Sequence, residues 1–410
     1  MSESEEREVP AIPFPELARA FSVSFLMLGS YYLIRPVRDD IGSEYNADLE
    51  TLFLFTFASM VVLSPIHGFF VARVLRKRLV PVLYLICAGV LLAFRGAYAA
   101  GPPAPVVEKG LYVFLAVYNL FVVSSFWSWM SDRFDEENAR RWFGPIAVGG
   151  TIAAMLGSST TAFLGDLVGT TNLLLVSAGV LALAGVLIFF DSVPPRNAHR
   201  ARIGGNPFQG AVAACTNPYL AGIAAYIFFM TIGGTLLYLE QSHIFAEHFG
   251  EDRAARKALL AKMDLATNAG TLLFQLGVIG PWMLSKRITP VLAALPVIGL
   301  VGFPILGYSP SLMVVVVLMV ATRVGKYGLA KPSREALYTV VPGEDRYKAK
   351  AFADTVIYRG GDWFTTWLSN LIRGSGSYTI LAYAFTPVAL VWLVLSVWLG
   401  RRQAQLADDQ

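Results

Sequence analysis

Apolar residues run along this chain in windows of about 20, the length an α-helix needs to cross the roughly 30 Å hydrocarbon core of a bilayer. Six such windows cover residues 14–40, 49–72, 79–98, 109–130, 142–165 and 171–190. A polar stretch from Asp191 to Pro207 interrupts the pattern, and six more windows follow at 218–240, 262–284, 289–308, 311–330, 351–372 and 378–400. The pattern predicts an all-α membrane protein with about 12 transmembrane helices in two six-helix halves. The halves are a bundle over 1–190 and a bundle over 218–410, joined by a cytoplasmic linker over 191–217.

Composition points to the same solvent. Hydrophobic residues make up 55% of the 410 and charged residues only 15%, against about 45–50% and 25% in soluble domains. The net charge of +4 lies in short clusters between apolar runs, which argues against nucleic acid as a partner. The two cysteines, Cys87 and Cys215, give neither a disulfide framework nor a thiolate metal site. The acidic start, MSESEEREVP, lacks the basic region of a cleaved signal.

Orientation follows from the loops. One alternate set of loops and helix ends, from Arg73 through Arg133, Arg200, Arg287, Arg346 and Arg402, holds 19 Lys and Arg, and the other holds 8. Positive charge collects on the cytoplasmic side, so both termini are expected in the cytoplasm of a multi-pass protein of the bacterial inner membrane.

Charges inside spans carry the candidate chemistry, because each costs about 2.5–3.5 kcal/mol on insertion scales unless it faces a partner or an aqueous cavity. Ser24, Tyr31, Arg35 and Arg38 share one face of the first helix by their spacing. Guanidinium forks bind phosphate or carboxylate, and a tyrosine ring can stack on a base, so this stripe suits an anionic aromatic solute. The alternative is that both arginines sit at headgroup level beside Asp39 and Asp40. In the tenth span Arg323 and Lys326 lie one turn apart, with Arg323 roughly 20 Å from a helix start at Pro310. In the eleventh, Arg359 and Asp362 lie roughly 12 and 16 Å from the opposite end. The depths overlap, so Arg323 either pairs with Asp362 or is left for a bound anion. Asp264, Asn268, Thr271 and Gln275 form a polar stripe on the eighth span, read either as interhelical glue or as solute contact. Glu240 and Asp264 bracket the ends of the seventh and eighth spans, where they are either proton or cation sites or exposed end charges. Gly149, Ala153 and Gly157 repeat every four residues, the spacing of close helix packing. His243 and Glu247 lack a third ligand for a metal. No Walker motif, nucleophile elbow or H-E-x-x-H stretch is present, so no catalytic residue, cofactor or metal is assigned.

The two halves echo one another. Glu136-Glu137-Asn138-Ala139-Arg140-Arg141-Trp142-Phe143 precedes Gly149-Gly150, and Glu344 to Phe352 precedes Gly360-Gly361, which suggests a parallel repeat of the major facilitator kind. Gly68 to Lys77 resembles the cytoplasmic G-x-x-x-D-R-x-G-R-K signature of that superfamily, with Ala72 in place of its acid and Leu75 in place of its second glycine.

A second resemblance is to the ATP/ADP translocase family of nucleotide antiporters and its bacterial relatives. Tyr31-Tyr32-Leu33-Ile34-Arg35-Pro36-Val37-Arg38-Asp39 looks like its Y-x-L-x-R-x-x-K-D segment, and Asn138 to Pro145 its A-K-R-F-Y-P stretch. Lys331 to Tyr338 resembles its P-[ST]-K-E-x-x-Y stretch, and Tyr347 to Asp354 with Arg359-Gly360-Gly361-Asp362 its K-x-K-G-K-A-x-x-D and glycine-rich segments. Where the exchangers carry a Lys four residues after a Glu, Glu240 is followed by Ile244.

The resemblance implies a secondary transporter of an anionic small molecule, a nucleotide or another phosphorylated metabolite, working by alternating access. Arg35, Arg38, Arg323, Lys326 and Arg359 would supply charge, and Tyr31 and Asn268 orientation. One rival is a proton-coupled permease or exporter using Asp39, Asp362 or Glu240, with Asp264 as a further charge partner. The other is a membrane receptor or assembly protein that moves no solute.

Overall fold

The computed structural model describes residues 13–73, 76–134, 136–191, 212, 216–274, 288–341, 349–350, 352–373 and 378–408. Most of these residues are helical, and no strand occurs among them. The helices are α1 (Phe14–Glu44), α2 (Leu49–Arg73), α3 (Arg76–Ala99), α4 (Pro105–Arg133), α5 (Glu136–Phe189), α6 (Pro218–Phe249), α7 (Arg253–Phe274), α8 (Thr289–Tyr308), α9 (Leu312–Val324), α10 (Lys331–Leu337), α11 (Tyr358–Arg373) and α12 (Tyr378–Asp408). Two π-helical turns, Gly325–Ala330 and Ala353–Ile357, lead into α10 and α11.

Helix ends follow local chemistry. Pro105 and Pro218 start α4 and α6, where a missing N–H costs nothing. The Asn217 side chain accepts from the Tyr219 and Leu220 amides, and Ser311 accepts from Val314 at the start of α9. Helix α5 runs for 54 residues, far more than one crossing needs, and breaks at Gly169, whose φ of 70° suits glycine. The break falls at the start of the second of the two spans in α5, Pro145–Gly165 and Leu167–Phe189.

Among the described residues, ten helical segments are long and apolar enough to cross a membrane, so the protein is an integral, multi-pass membrane protein. The two other expected spans correspond to α7 and α11. Helix α7 begins at Arg253, nine residues before the expected start at Lys262, and residues 275–287, including Gln275, lie outside the described ones. An apolar window stops at charge, and here the charges belong to the helix because carboxylates meet them. Helix α6 likewise continues to Phe249. Glu240 and Asp264 therefore sit inside helices, 4% and 1% exposed, and not at exposed ends. Most of the linker 191–217, residues 344–348 and 351 of the second echo segment, and Val74 and Leu75 of the Gly68–Lys77 signature also lie outside the described residues.

The chain divides into two compact units. The first comprises 1–35, 66–107 and 115–204, and the second 36–65, 108–114 and 205–410. In the first unit, α1 and α5 approach closely along the small-residue repeat. A Cβ on Gly157 would stand 3.1 Å from the Leu33 amide nitrogen and 3.2 Å from the Gly29 carbonyl oxygen. Ser30 bonds to Tyr118 and Ser177 at 2.6 and 2.9 Å, tying α1 to α4 and α5. Arg133 pairs with Asp191 and lies 3.4 Å from Glu16, while Arg19 reaches Asp191 at 2.5 Å. In the second unit α8 packs on α12, with Phe303 and Phe385 ring centroids 4.3 Å apart. Phe385 also seats over Gly233, where a Cβ would come within 2.7 Å of the ring.

Candidate functional site

The charged residues buried in the second unit fall into three connected groups. The first is built on Arg323 of α9 and Asp264 of α7, each roughly 16 Å along its helix from the first residue. Arg323 donates to Asp264 at 2.9 Å, and its other terminal nitrogen lies 3.6 Å from Asp39 of α1. Asp39 also takes Arg38 at 3.3 Å. Arg38 in turn lies 4.5 Å over the Tyr112 ring and donates to its hydroxyl at 3.3 Å, and Tyr112 donates to Tyr238 of α6. Two bases are balanced by two acids here. The pairing of Arg323 with Asp362 that overlapping depths allow is not what forms, because Asp264 on α7 lies at the same depth and takes the guanidinium.

Asp362 belongs to the second group. It accepts from Thr235 of α6 at 2.7 Å and from Arg359, one turn earlier on α11, at 3.2 Å. Tyr358 completes the group: its hydroxyl accepts from Lys326 at 2.5 Å, and its ring lies 4.8 Å from the Lys326 ammonium and 5.2 Å from the Arg359 guanidinium. Both partners of the Lys326–Tyr358 bond are set by π turns, since Lys326 lies within one and Tyr358 follows the other directly. Such turns shift side-chain register inside a helix and concentrate at functional sites. Helix α6 links the groups, with Thr235 on Asp362 and Tyr238, one turn on, at Tyr112.

The third group lies where α1 ends and α7 begins. Arg256, 1% exposed, bonds Asp40 at 2.7 Å and Glu44 at 2.5 Å. Arg253 bonds Asp40 at 2.9 Å and Glu108 of α4 at 2.9 Å. The Tyr45 hydroxyl donates to Glu108 at 2.7 Å. Burial and this bond to a carboxylate raise the Tyr45 phenol to about 12.

Of the residues the sequence singles out, Arg38, Asp39, Asp264 and Arg323 come together, as do Lys326, Arg359 and Asp362. Asn268, 8% exposed, lies one turn beyond Asp264, and its amide nitrogen has no hydrogen-bond partner among the described residues. Glu240 is buried on α6. Tyr31 and Arg35 belong to the first unit: Tyr31 packs on Tyr118 with centroids 6.1 Å apart, and Arg35 lies 5.4 Å over the Tyr32 ring. His243 pairs with Glu247 at 3.1 Å, and no cluster of metal-ligating residues occurs among the described ones. Sequence reasoning missed Tyr112, Tyr238, Tyr358 and Thr235. An aromatic or threonine in an apolar window looks like core packing, and only the adjacency of Tyr358 to Arg359 hinted otherwise.

A polytopic helical bundle with balanced charge groups buried at membrane depth is the architecture of a membrane transport protein. The chain belongs to the Major Facilitator Superfamily, whose model matches residues 20–361. Among solved structures it is similar to a mutant of the nucleoside transporter NupG, at 16% identity over 95% of this chain and 99% of that one, with a TM-score of 0.65. It is also similar to a bacterial homologue of the human lysosomal transporter Spinster, at 14% identity over 97% of this chain and 98% of that one, with a TM-score of 0.60. At these identities the likeness is one of fold. No curated protein matches the chain in sequence.

Proposed function

We propose that this protein is a secondary transporter that moves an anionic small molecule, a nucleotide or another phosphorylated metabolite, by alternating access between two six-helix halves, with both termini cytoplasmic. The observation that carries this reading is the group around Tyr358. Lys326 and Arg359 both lie against one phenol ring, and Asp362, bonded to Arg359, is the carboxylate of the group, so the group holds one positive charge beyond its acid. A partly desolvated residual cation favours an anionic ligand, and a guanidinium offers the planar fork that phosphate takes. Arg38, stacked on Tyr112, adds charge and aromatic surface. Asn268 offers an uncommitted amide donor for orientation. The resemblance of the Tyr31–Asp39 and Lys331–Tyr338 segments to the ATP/ADP translocases supports a nucleotide.

A proton-coupled permease is the second reading, favoured by Asp39, which bridges Arg38 and Arg323 and so could exchange a proton for a shift in pairing. A thermal-shift series on the purified protein separates the two, because a ligand at 100 times its dissociation constant adds about 2.7 kcal/mol of apparent stability. Nucleotides and sugar phosphates should stabilise the wild type, and Arg359→Gln should lose the effect. Uncharged nucleosides form the comparison set, since NupG is a nucleoside transporter of the same fold. Equal stabilisation by nucleosides and nucleotides, retained in Arg359→Gln, would overturn the anionic reading.

A further inference from the structure

Behind the Lys326–Tyr358 bond, α6, α8, α9 and α12 enclose a cavity of about 320 Å³ including its open mouth. Its polar lining residues are Lys326, Thr322 and Trp392, and no carboxylate lines it. Trp392 is 3% exposed, and its indole N–H has no hydrogen-bond partner among the described residues. The same holds for the Thr322 hydroxyl. Lys326 has three N–H donors, and Tyr358 is the hydrogen-bond acceptor recorded for it. The cavity therefore gathers an ammonium, an indole N–H and a hydroxyl in an otherwise apolar wall of Phe, Leu, Met and Gly.

Leaving a buried donor unmet costs more than a typical net hydrogen bond contributes. A ligand that only accepts would suit all three donors, with the buried Trp392 and Thr322 groups turning toward it. The fixed positive charge then selects an anion over water. Size selects further, because the interior accommodates a ligand of roughly water dimensions. The space exists because α6 carries Gly234 at its wall, where an added Cβ would meet nothing within 4 Å.

We propose that this cavity binds a small inorganic anion of the halide class, held by Lys326, Trp392 and Thr322. The site shares Lys326 with the proposed solute site and so places a second, inorganic ligand beside it. Its detection requires no solute, so failure of the anionic-solute reading leaves it standing.

The test uses the full-length protein in detergent, with melting temperature followed against bromide at constant ionic strength. Gluconate, too large for the cavity, replaces bromide. The wild type should show a rise that saturates. Gly234→Leu, whose side chain grows into the empty space, should abolish the rise while melting near the wild type in gluconate. Trp392→Phe removes one donor to a charged acceptor and should raise the half-saturating bromide concentration about tenfold or more. It also serves where Gly234→Leu fails to fold. A rise that never saturates, or one unchanged in either variant, overturns the proposal.

Discussion

Replacing Arg323 with alanine should be among the more damaging single changes in the second unit, and its partner should rescue part of the damage. Arg323 is the base that bonds Asp264, which is 1% exposed, and it also approaches Asp39, 3% exposed at the side chain. Removing one member of a buried pair costs about 3–5 kcal/mol, because the remaining charge loses its compensation in a low dielectric. Asp39 keeps Arg38 at 3.3 Å, so most of the cost of Arg323→Ala falls on Asp264. Asp264→Ala should cost less, about 1.5–3 kcal/mol, since Arg323 can still turn to Asp39. In the double variant neither charge is stranded, and the two effects should fall short of their sum by at least about 1.5 kcal/mol, within the range found for contacting residues. The assay is a double-mutant cycle on melting temperature in detergent, with Asp362→Asn combined with Arg323→Ala as the parallel cycle. Additivity for Arg323 and Asp264, with coupling instead between Arg323 and Asp362, would refute the pairing and restore the alternative the sequence allowed.

Three further outcomes are expected. Gly157→Val should destabilise the first unit by about 1–3 kcal/mol, because the Cβ would press on backbone atoms of α1 that cannot swing aside, and a thermal melt reads this directly. The raised phenol of Tyr45 keeps its contribution below the ordinary tyrosine value of 10 and loses it as pH rises towards about 12. Wild type should therefore lose stability relative to Tyr45→Phe across that window, and parallel curves would show that the Tyr45–Glu108 bond does not persist. Cysteines placed at Arg78 and Arg401 should react with a membrane-impermeant thiol reagent only from the cytoplasmic side, and labelling of either from outside would invert the proposed topology.

The bilayer's demand for long, internally bonded apolar helices is strong enough to be legible in sequence. Windows of about 20 residues located ten spans closely, including the two spans of α5, and the Gly149–Ala153–Gly157 spacing marked the close face of that helix. Charges deep in spans, such as Arg323, Lys326, Arg359 and Asp362, were equally visible, because composition makes them conspicuous. Their partners were not. A hydropathy window ends at Arg253 and Arg256 although the helix continues, since the carboxylates that neutralise them come from Asp40, Glu44 and Glu108 on other helices. Depth along a helix narrowed Arg323 to several possible partners, and the choice of Asp264 over Asp362 depended on which helices became neighbours. The π turns that set Lys326 against Tyr358 leave no trace in residue type, because one inserted residue in a helical turn is decided by packing around it. Burial and periodicity are properties of each segment and its solvent, whereas pairing is a property of neighbours, and only the folded chain supplies those.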